Sequence, residues 1–310
     1  MGYLNSAWAE LSSIQAGGPT RHIAAGVSPS APNDQEELMR RNGFVKSHAL
    51  GNDYIVMDPG SLSFPLTAEA VRLICDRHHG VGSDGILVHV PSASADYGLR
   101  IFARYLYDHR IAGRTAFTVE TPGGLVNITL HLRGEDVESI TVDMGTATFR
   151  SERIPAAGAP REVVDETIEV EGQVLAVTAL SVGNPHCVVF VPDLAAIDLH
   201  RLGPALERHA LFPKRTNVQF AQVRSRDRIA IVIWERGAGE TMASGSSACA
   251  VAAAAVRRGA VGRDLTIEMP GGTLQVSVAS DWSIRMSGPA VEVYEGTLSG
   301  AMVGTLEESR

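Results

Sequence analysis

The spacing of apolar and polar positions marks short strands and helices along most of the chain, and at one point a connection between them is missing. Leu99-Arg-Ile-Phe102 reads as a short strand and Ala103–Gly113 as a helix, with nothing between. Strands and helices are normally joined by a few residues that include Gly, Asn, Asp or Ser. Elsewhere the punctuation is regular. TVETPGGL at 118–125 and TIEMPGGT at 266–273 each predict a β-branched strand that ends in a Pro-Gly-Gly turn and returns as a hairpin. Ile231-Val-Ile-Trp234 predicts a further strand, and the alanine-rich run continuing through Val251–Val261 a further helix. Residues 1–43 carry no sustained period beyond a short helical stripe at Trp8–Ile14 and are rich in Ala, Ser, Gly and Pro. They read as a mostly disordered extension, with Met39 as an alternative start.

The two hairpins point to an internal duplication. Ala103–Gly113 precedes the first hairpin by the same interval as Val251–Val261 precedes the second. The apolar strands before those helices, ending in Phe102 and Trp234, lie sixteen residues closer together than that interval. On this reading the first half lacks a loop between Phe102 and Ala103, and the second half retains it as a glycine-rich segment.

Composition narrows the class. The 310 residues suffice for two domains of common size. A hydrophobic share of 45% and a charged share of 20% are those of a soluble globular protein. The net charge of −8 argues against nucleic acid or an anionic membrane as partner, and no apolar stretch reaches the ~20 residues needed to span a bilayer. Cys75, Cys187 and Cys249 are odd in number and far apart, which suits a reducing cytoplasm and offers no closely spaced pair for a structural metal.

The glycine-rich segment runs from Glu235-Arg236 to Ser244-Gly245-Ser246-Ser247 and then into alanines, so a helix is expected to begin near Gly245–Ser247. Two readings fit. Small residues at a helix start leave N–H groups and the positive dipole end open to a carboxylate or phosphate; equally, this is a serine-capped helix after a flexible loop. Leu50-Gly-Asn52-Asp, Val182-Gly-Asn184-Pro-His186 and Arg215-Thr-Asn217-Val place an Asn at the end of an apolar run. Each alone is a turn former; beside an anion cradle they suggest a site that holds a zwitterion by neutral hydrogen bonds.

The segments FVKSHALGNDYIVMD, CDRHHGVGSDGIL, TVETPGG, SVGNPHCVVFV, RTNVQF, WERGAGETMASGSSACA and GPAVEVYEG, in this order from Phe44 to about Leu298, resemble the diaminopimelate epimerase family of PLP-independent amino-acid epimerases. The resemblance implies an α/β (α+β) fold of two pseudo-symmetric domains, each a β-barrel-like sheet around a central helix, with the active site in the cleft between them. The halves would be 44–146 and 147–288, with 289–310 a strand returning to the first half plus a tail. It further implies a small amino acid like diaminopimelate as substrate, no cofactor, and a homodimer. Asn52, Asn184 and Asn217 would bind substrate, Glu235 and Arg236 its distal amino-acid group, and Gly245 and Ser246 the reacting α-carboxylate. His186 would serve the first catalytic cysteine and Glu235 support the second.

The departures from the family pattern are as informative. The family inverts a stereocentre with two cysteines on opposite faces of the substrate, one removing the α-proton and the other returning one. Here Ser244 occupies the second cysteine's position, and the first belongs to the absent loop. Three functional expectations follow. One is LL- to meso-diaminopimelate inversion with impaired two-base chemistry. A second is a non-catalytic ligand-binding paralogue. The third is one-base isomerisation or dehydration of a related acid, with His186 or Glu235 as base.

Overall fold

The computed structural model describes residues 41–88, 99–121 and 124–308. The expected N-terminal extension, apart from its last three residues, and the Pro122-Gly123 turn lie outside these. In chain order come β1 (Gly43–Ala49), β2 (Asn52–Met57), α1 (Ala68–Cys75), β3 (Gly85–Val88), α2 (Leu99–Asp108), β4 (Ala116–Thr121), β5 (Gly124–Arg133) and β6 (Asp136–Thr146). Next are β7 (Glu166–Val170), β8 (Gln173–Ser181), β9 (Pro185–Phe190), α3 (Leu199–Glu207), β10 (Asn217–Ser225), β11 (Arg228–Glu235) and β12 (Gly239–Thr241). Then follow α4 (Gly245–Arg257), β13 (Asp264–Met269), β14 (Gly272–Val278), β15 (Ser283–Gly288), β16 (Val291–Thr297) and α5 (Gly300–Glu308).

The strand expected over Leu99–Phe102 is not formed. Leu99–Asp108 is one continuous helix whose buried residues include Ile101, Phe102, Ala103, Tyr105 and Leu106. Four apolar residues fit either period; what settles the matter is Phe102, Tyr105 and Leu106 at helical spacing, continuing a stripe begun by Leu99. The absent connection is thereby explained, because Phe102 and Ala103 are successive residues inside a helix. The helix also ends earlier than Gly113, with Arg110 in the left-handed region at φ 57.

The strands form a four-stranded sheet in the order β16-β1-β2-β3 and a twelve-stranded one in the order β4-β5-β6-β15-β14-β13-β11-β10-β9-β8-β7, with β12 on β11. Successive pairs in the second half alternate in a set way: β8–β9 antiparallel, β9–β10 parallel, β10–β11 antiparallel, β11–β13 parallel, β13–β14 antiparallel. The first half repeats this with β1–β2 antiparallel, β2–β3 parallel and β4–β5 antiparallel. A counterpart to β11 is lacking: among the described residues β3 and β4 are both sheet edges. The registers agree in detail. Tyr54 stands opposite Gly85 as His186 stands opposite Asn217. Residues 89–98 are all that join β3 to α2, whereas 226–244, with β11 and β12 among them, join β10 to α4. The shortfall between the halves therefore lies upstream of Leu99, and no counterpart to β11 occurs among the described residues.

Helix α4 is the centre of the second half, packed against β8, β9, β10, β11, β13, β14 and β15. Ala248–Ala255 are all buried, and their small side chains let strands close round the helix on every side. Helix α2 is its counterpart, against β1, β2, β5, β6 and β16. No helix of the described residues is long and apolar enough to cross a membrane.

Candidate active site

The first contribution comes from the tight turn between β1 and β2. Leu50 (φ 58) and Gly51 (φ 86) both take left-handed conformations, and Gly51 N donates to His48 Nδ1 at 3.2 Å. The turn sends Asn52 across to the second half, where its Nδ2 donates to Ala243 O at 3.4 Å. Gly271, in the second Pro-Gly-Gly turn, donates its N–H to Met242 O at 2.8 Å and lies directly against Leu50. The two halves thus meet at Asn52 beside the start of α4.

That start is built as the sequence suggests. Ser244 is the N-cap of α4, in extended conformation at φ −149 and ψ 124, with its Oγ accepting from Ser247 N. Gly245 and Ser246 are the first helical residues, whose N–H groups have no partner within the helix. An added Cβ at 245 would lie 2.8 Å from Met286 Sδ, so the end of that methionine would have to move aside. Ser244 is 6% exposed and lies close enough to Glu235 to act on its carboxyl. Burial pushes the Glu235 carboxyl above its ordinary range, the Ser244 side chain pulls it back, and the charge of Asp84 adds to the upward push.

Asn217 is buried and fully engaged: Nδ2 donates to Pro185 O at 2.9 Å and Oδ1 accepts from Arg236 N at 3.0 Å. The Asn217 side chain therefore sets the position of the Arg236 backbone. Asn184 accepts from His186 Nε2 through Oδ1 at 2.8 Å. On its other nitrogen, Nδ1, His186 accepts from Gln219 Nε2 at 3.1 Å, and the same amide group donates to Ser247 Oγ at 2.9 Å. A hydrogen-bonded chain thereby links Asn184 to the first turn of α4. Burial, with a smaller push from the charge of Arg236, holds His186 at about 3, against the opposing bond from Gln219. The imidazole is neutral, fully buried and bonded at both nitrogens, a geometry that orients Asn184 and offers nothing to a proton in the cleft.

This carries a pH consequence. The folded imidazole binds its proton only near pH 3 and the unfolded one near 6.5, so the unfolded chain holds more protons between them. Stability on this account is full above the unfolded value and falls as the pH drops below it. His186→Gln is expected to flatten the decline in urea midpoint from neutral to mildly acid pH, and parallel declines in variant and wild type would contradict the placement.

Two parts of the site were not legible beforehand. Gln219 could have been suspected from its place two residues beyond Asn217, on the same face of β10. The other is an ionic cluster on the first half. Asp53 pairs with Lys46 and, at 2.7 Å, with Arg77, while Arg77 pairs with Asp84 at 2.8 Å. Burial raises Asp53, but bonds from Arg77 and Lys46 outweigh it and hold the carboxyl at about 2. Asp84 is raised by burial and sits close enough to influence Glu235.

The cysteines lie elsewhere. Cys187 and Cys249 are wholly buried, and burial drives both thiols up, Cys249 to about 12. Burial also raises Cys75. A metal-sized grouping occurs at the C-terminal end of α2, where ligand atoms of His109, Glu292 and Glu295 lie within 4.8 Å of one another; it includes none of the cleft residues.

The family model for diaminopimelate epimerase matches residues 178–293. A diaminopimelate epimerase of Desulfitobacterium hafniense is 40% identical over 276 residues, covering 82% of this chain and 97% of that protein. One from Methanothermobacter thermautotrophicus is 39% identical over 279 residues, covering 82% and 98%. Each aligned length exceeds 82% of a 310-residue chain, so the alignments open gaps here that the relatives fill. Among solved structures, a probable proline racemase from Agrobacterium radiobacter K84 superposes with a TM-score of 0.62 at 15% identity, covering 83% of this chain and 93% of that one. A hydroxyproline epimerase from Agrobacterium vitis also gives 0.62, at 14% identity, covering 83% and 90%. These two share the fold.

Proposed function

Since the chain belongs to the diaminopimelate epimerase family, a family of isomerases, we propose that it binds diaminopimelate in the cleft at the start of α4 and that its two-base stereoinversion is impaired. The observation that carries this is Ser244: a hydroxyl caps α4 where the family resemblance calls for a thiol, with the Glu235 carboxyl beside it. The substrate's α-carboxylate would accept from the N–H groups of Gly245 and Ser246, at the positive end of the helix. Arg236, held by Asn217 through its backbone, would meet the distal carboxylate, and Asn52 and Asn184 the ammonium and carboxylate edges.

Stereoinversion needs an acid and a base on opposite faces of the α-carbon. A serine hydroxyl holds its proton far more tightly than a thiol, and the titratable group beside it is the raised Glu235. Glu235 can take the α-proton and return it on the same face, which gives exchange with retention. The face that the absent segment of the first half would serve has no described thiol. A purely ligand-binding role is the second reading, favoured by the same two losses. On either reading the protein would act as a cytoplasmic homodimer on a lysine and peptidoglycan precursor.

The test is incubation with LL- and meso-diaminopimelate in heavy water, followed by NMR, with calorimetry in parallel. Binding is expected for at least one stereoisomer, weakened roughly 10–100-fold by Arg236→Ala through loss of a charged hydrogen-bond donor, and any exchange is expected to be slow and without inversion. Failure to bind any stereoisomer would sink the proposal, and rapid inversion by the purified protein would sink the impairment.

A further inference from the structure

We propose that Glu207 is a positioning residue for the Glu235–Arg236 side of the cleft; this rests on the ligand reading above. Glu207 is the last residue of α3 and is 2% exposed. An acidic side chain at a helix C-terminus faces the negative end of the dipole, and burying a carboxylate is costly unless it is fully bonded. A residue placed against both tendencies has a reason in its partners.

Those partners belong to the two segments that bring Asn217, Glu235 and Arg236 together. Glu207 Oε2 accepts from Trp234 Nε1 at 2.9 Å and Oε1 from Gly237 N at 3.1 Å. Oε1 also lies 3.7 Å from Arg215 Nη1, and the Glu207 backbone carbonyl accepts from Thr216 N at 3.3 Å. Arg215 itself is left-handed at φ 60, a conformation that an arginine keeps only where its surroundings impose it. The two segments also touch each other, through Asn217 Oδ1 and Arg236 N and through Arg236 Nη1 and Lys214 O at 3.3 Å. Residue 236 is therefore fixed on one side by Asn217 and on the next by Gly237, whose N–H ends on Glu207. The indole has no freedom to retreat, because Gly203 packs so tightly under it that an added Cβ would come within 2.7 Å. Glu207 thus acts on substrate through Arg236, by preorganising the turn that presents its guanidinium.

The experiment compares Glu207→Gln and Glu207→Ala with wild type in the full chain. Its readouts are thermal stability, the NMR signals of the Trp234 indole N–H and Gly237 N–H, and calorimetric affinity for diaminopimelate. The alanine variant is expected to shift both N–H signals and lose roughly tenfold or more in affinity, and the glutamine variant, which keeps one carbonyl acceptor, to recover part of that loss. Lowered stability with unchanged affinity in either folded variant would assign Glu207 a structural role and overturn the proposal. If the alanine variant does not fold, the glutamine variant decides by the same criterion. If wild type binds no diaminopimelate, the ligand reading fails by itself. Glu207 is then judged by hydrogen exchange at Arg236 and Gly237, which rises in Glu207→Gln if the inference holds and stays unchanged if it does not.

Discussion

Replacing residues 89–98 with the corresponding segment of the Desulfitobacterium hafniense relative, together with Ser244→Cys, is expected to raise inversion of diaminopimelate by at least about 10²-fold over either change alone. The reason is geometric. Ser244→Cys puts a thiol at the N-terminus of α4, where the dipole and the N–H groups favour the thiolate. It serves one face only, so alone it is expected to speed α-proton exchange with retention. The inserted segment restores the longer connection that the second half has between β10 and α4, with the loop that opens α2, which is the other face. Two groups that act as a unit give non-additive gains. Heavy-water NMR separates exchange from inversion in all three proteins. Full inversion by Ser244→Cys alone would mean that an opposing acid is already in place and that the absent segment was dispensable.

The second large effect is on stability. Gly271→Ala is expected to lower it by about 3 kcal/mol, with a matching fall in urea midpoint. An added Cβ would lie 1.9 Å from Leu50 O, 2.9 Å from Leu50 C and 3.0 Å from Met242 O. All three are backbone atoms, so no side chain can swing aside; either the Leu50–Gly51 turn or the Met242 loop must move. Those are the segments that bring Asn52 to Ala243, so ligand affinity should fall with stability. Gly262→Ala is the control. There the nearest atom to an added Cβ is Arg226 O at 3.5 Å, and the change should stay within about 0.5 kcal/mol. Equal effects at both positions would show that the close approach at Gly271 is not what limits it.

What could be read in advance divides along sequence distance. The β4–β5 and β13–β14 strand pairs, the Ser244 cap and the alanine helix depend on neighbours a few residues away, and all form where the residues indicate. The segment Leu99–Phe102 failed for a local reason too: four apolar residues are too few to separate a period of two from one of 3.6. Its failure moved the missing piece without removing it, because the duplication was carried by the hairpins and by the helices that precede them. The Asp53–Arg77 pair that joins the ionic cluster and the bonds of Glu207 to Trp234 and Gly237 link residues 24, 27 and 30 positions apart, which no spacing rule connects. Burial was equally hidden. His186 reads as a polar residue near a site, and only the packing of β9 against β10 and α4 makes it a neutral ring with no access to the cleft.

The pairing of β16 with β1 has a consequence for how the chain is made. An N-terminal domain normally folds while the rest is still being synthesised. Here the four-stranded sheet of the first half has β16 as one edge, and β6 has β15 as its neighbour. Neither partner exists until nearly the whole polypeptide has left the ribosome. The second half, whose strands β7 to β14 follow one another in sequence, can assemble round α4 first, and the earlier half must wait for its ends. During that interval β1 and β6 present unpaired edges to any other chain nearby, so the demand for chaperone protection falls on the half that was translated first.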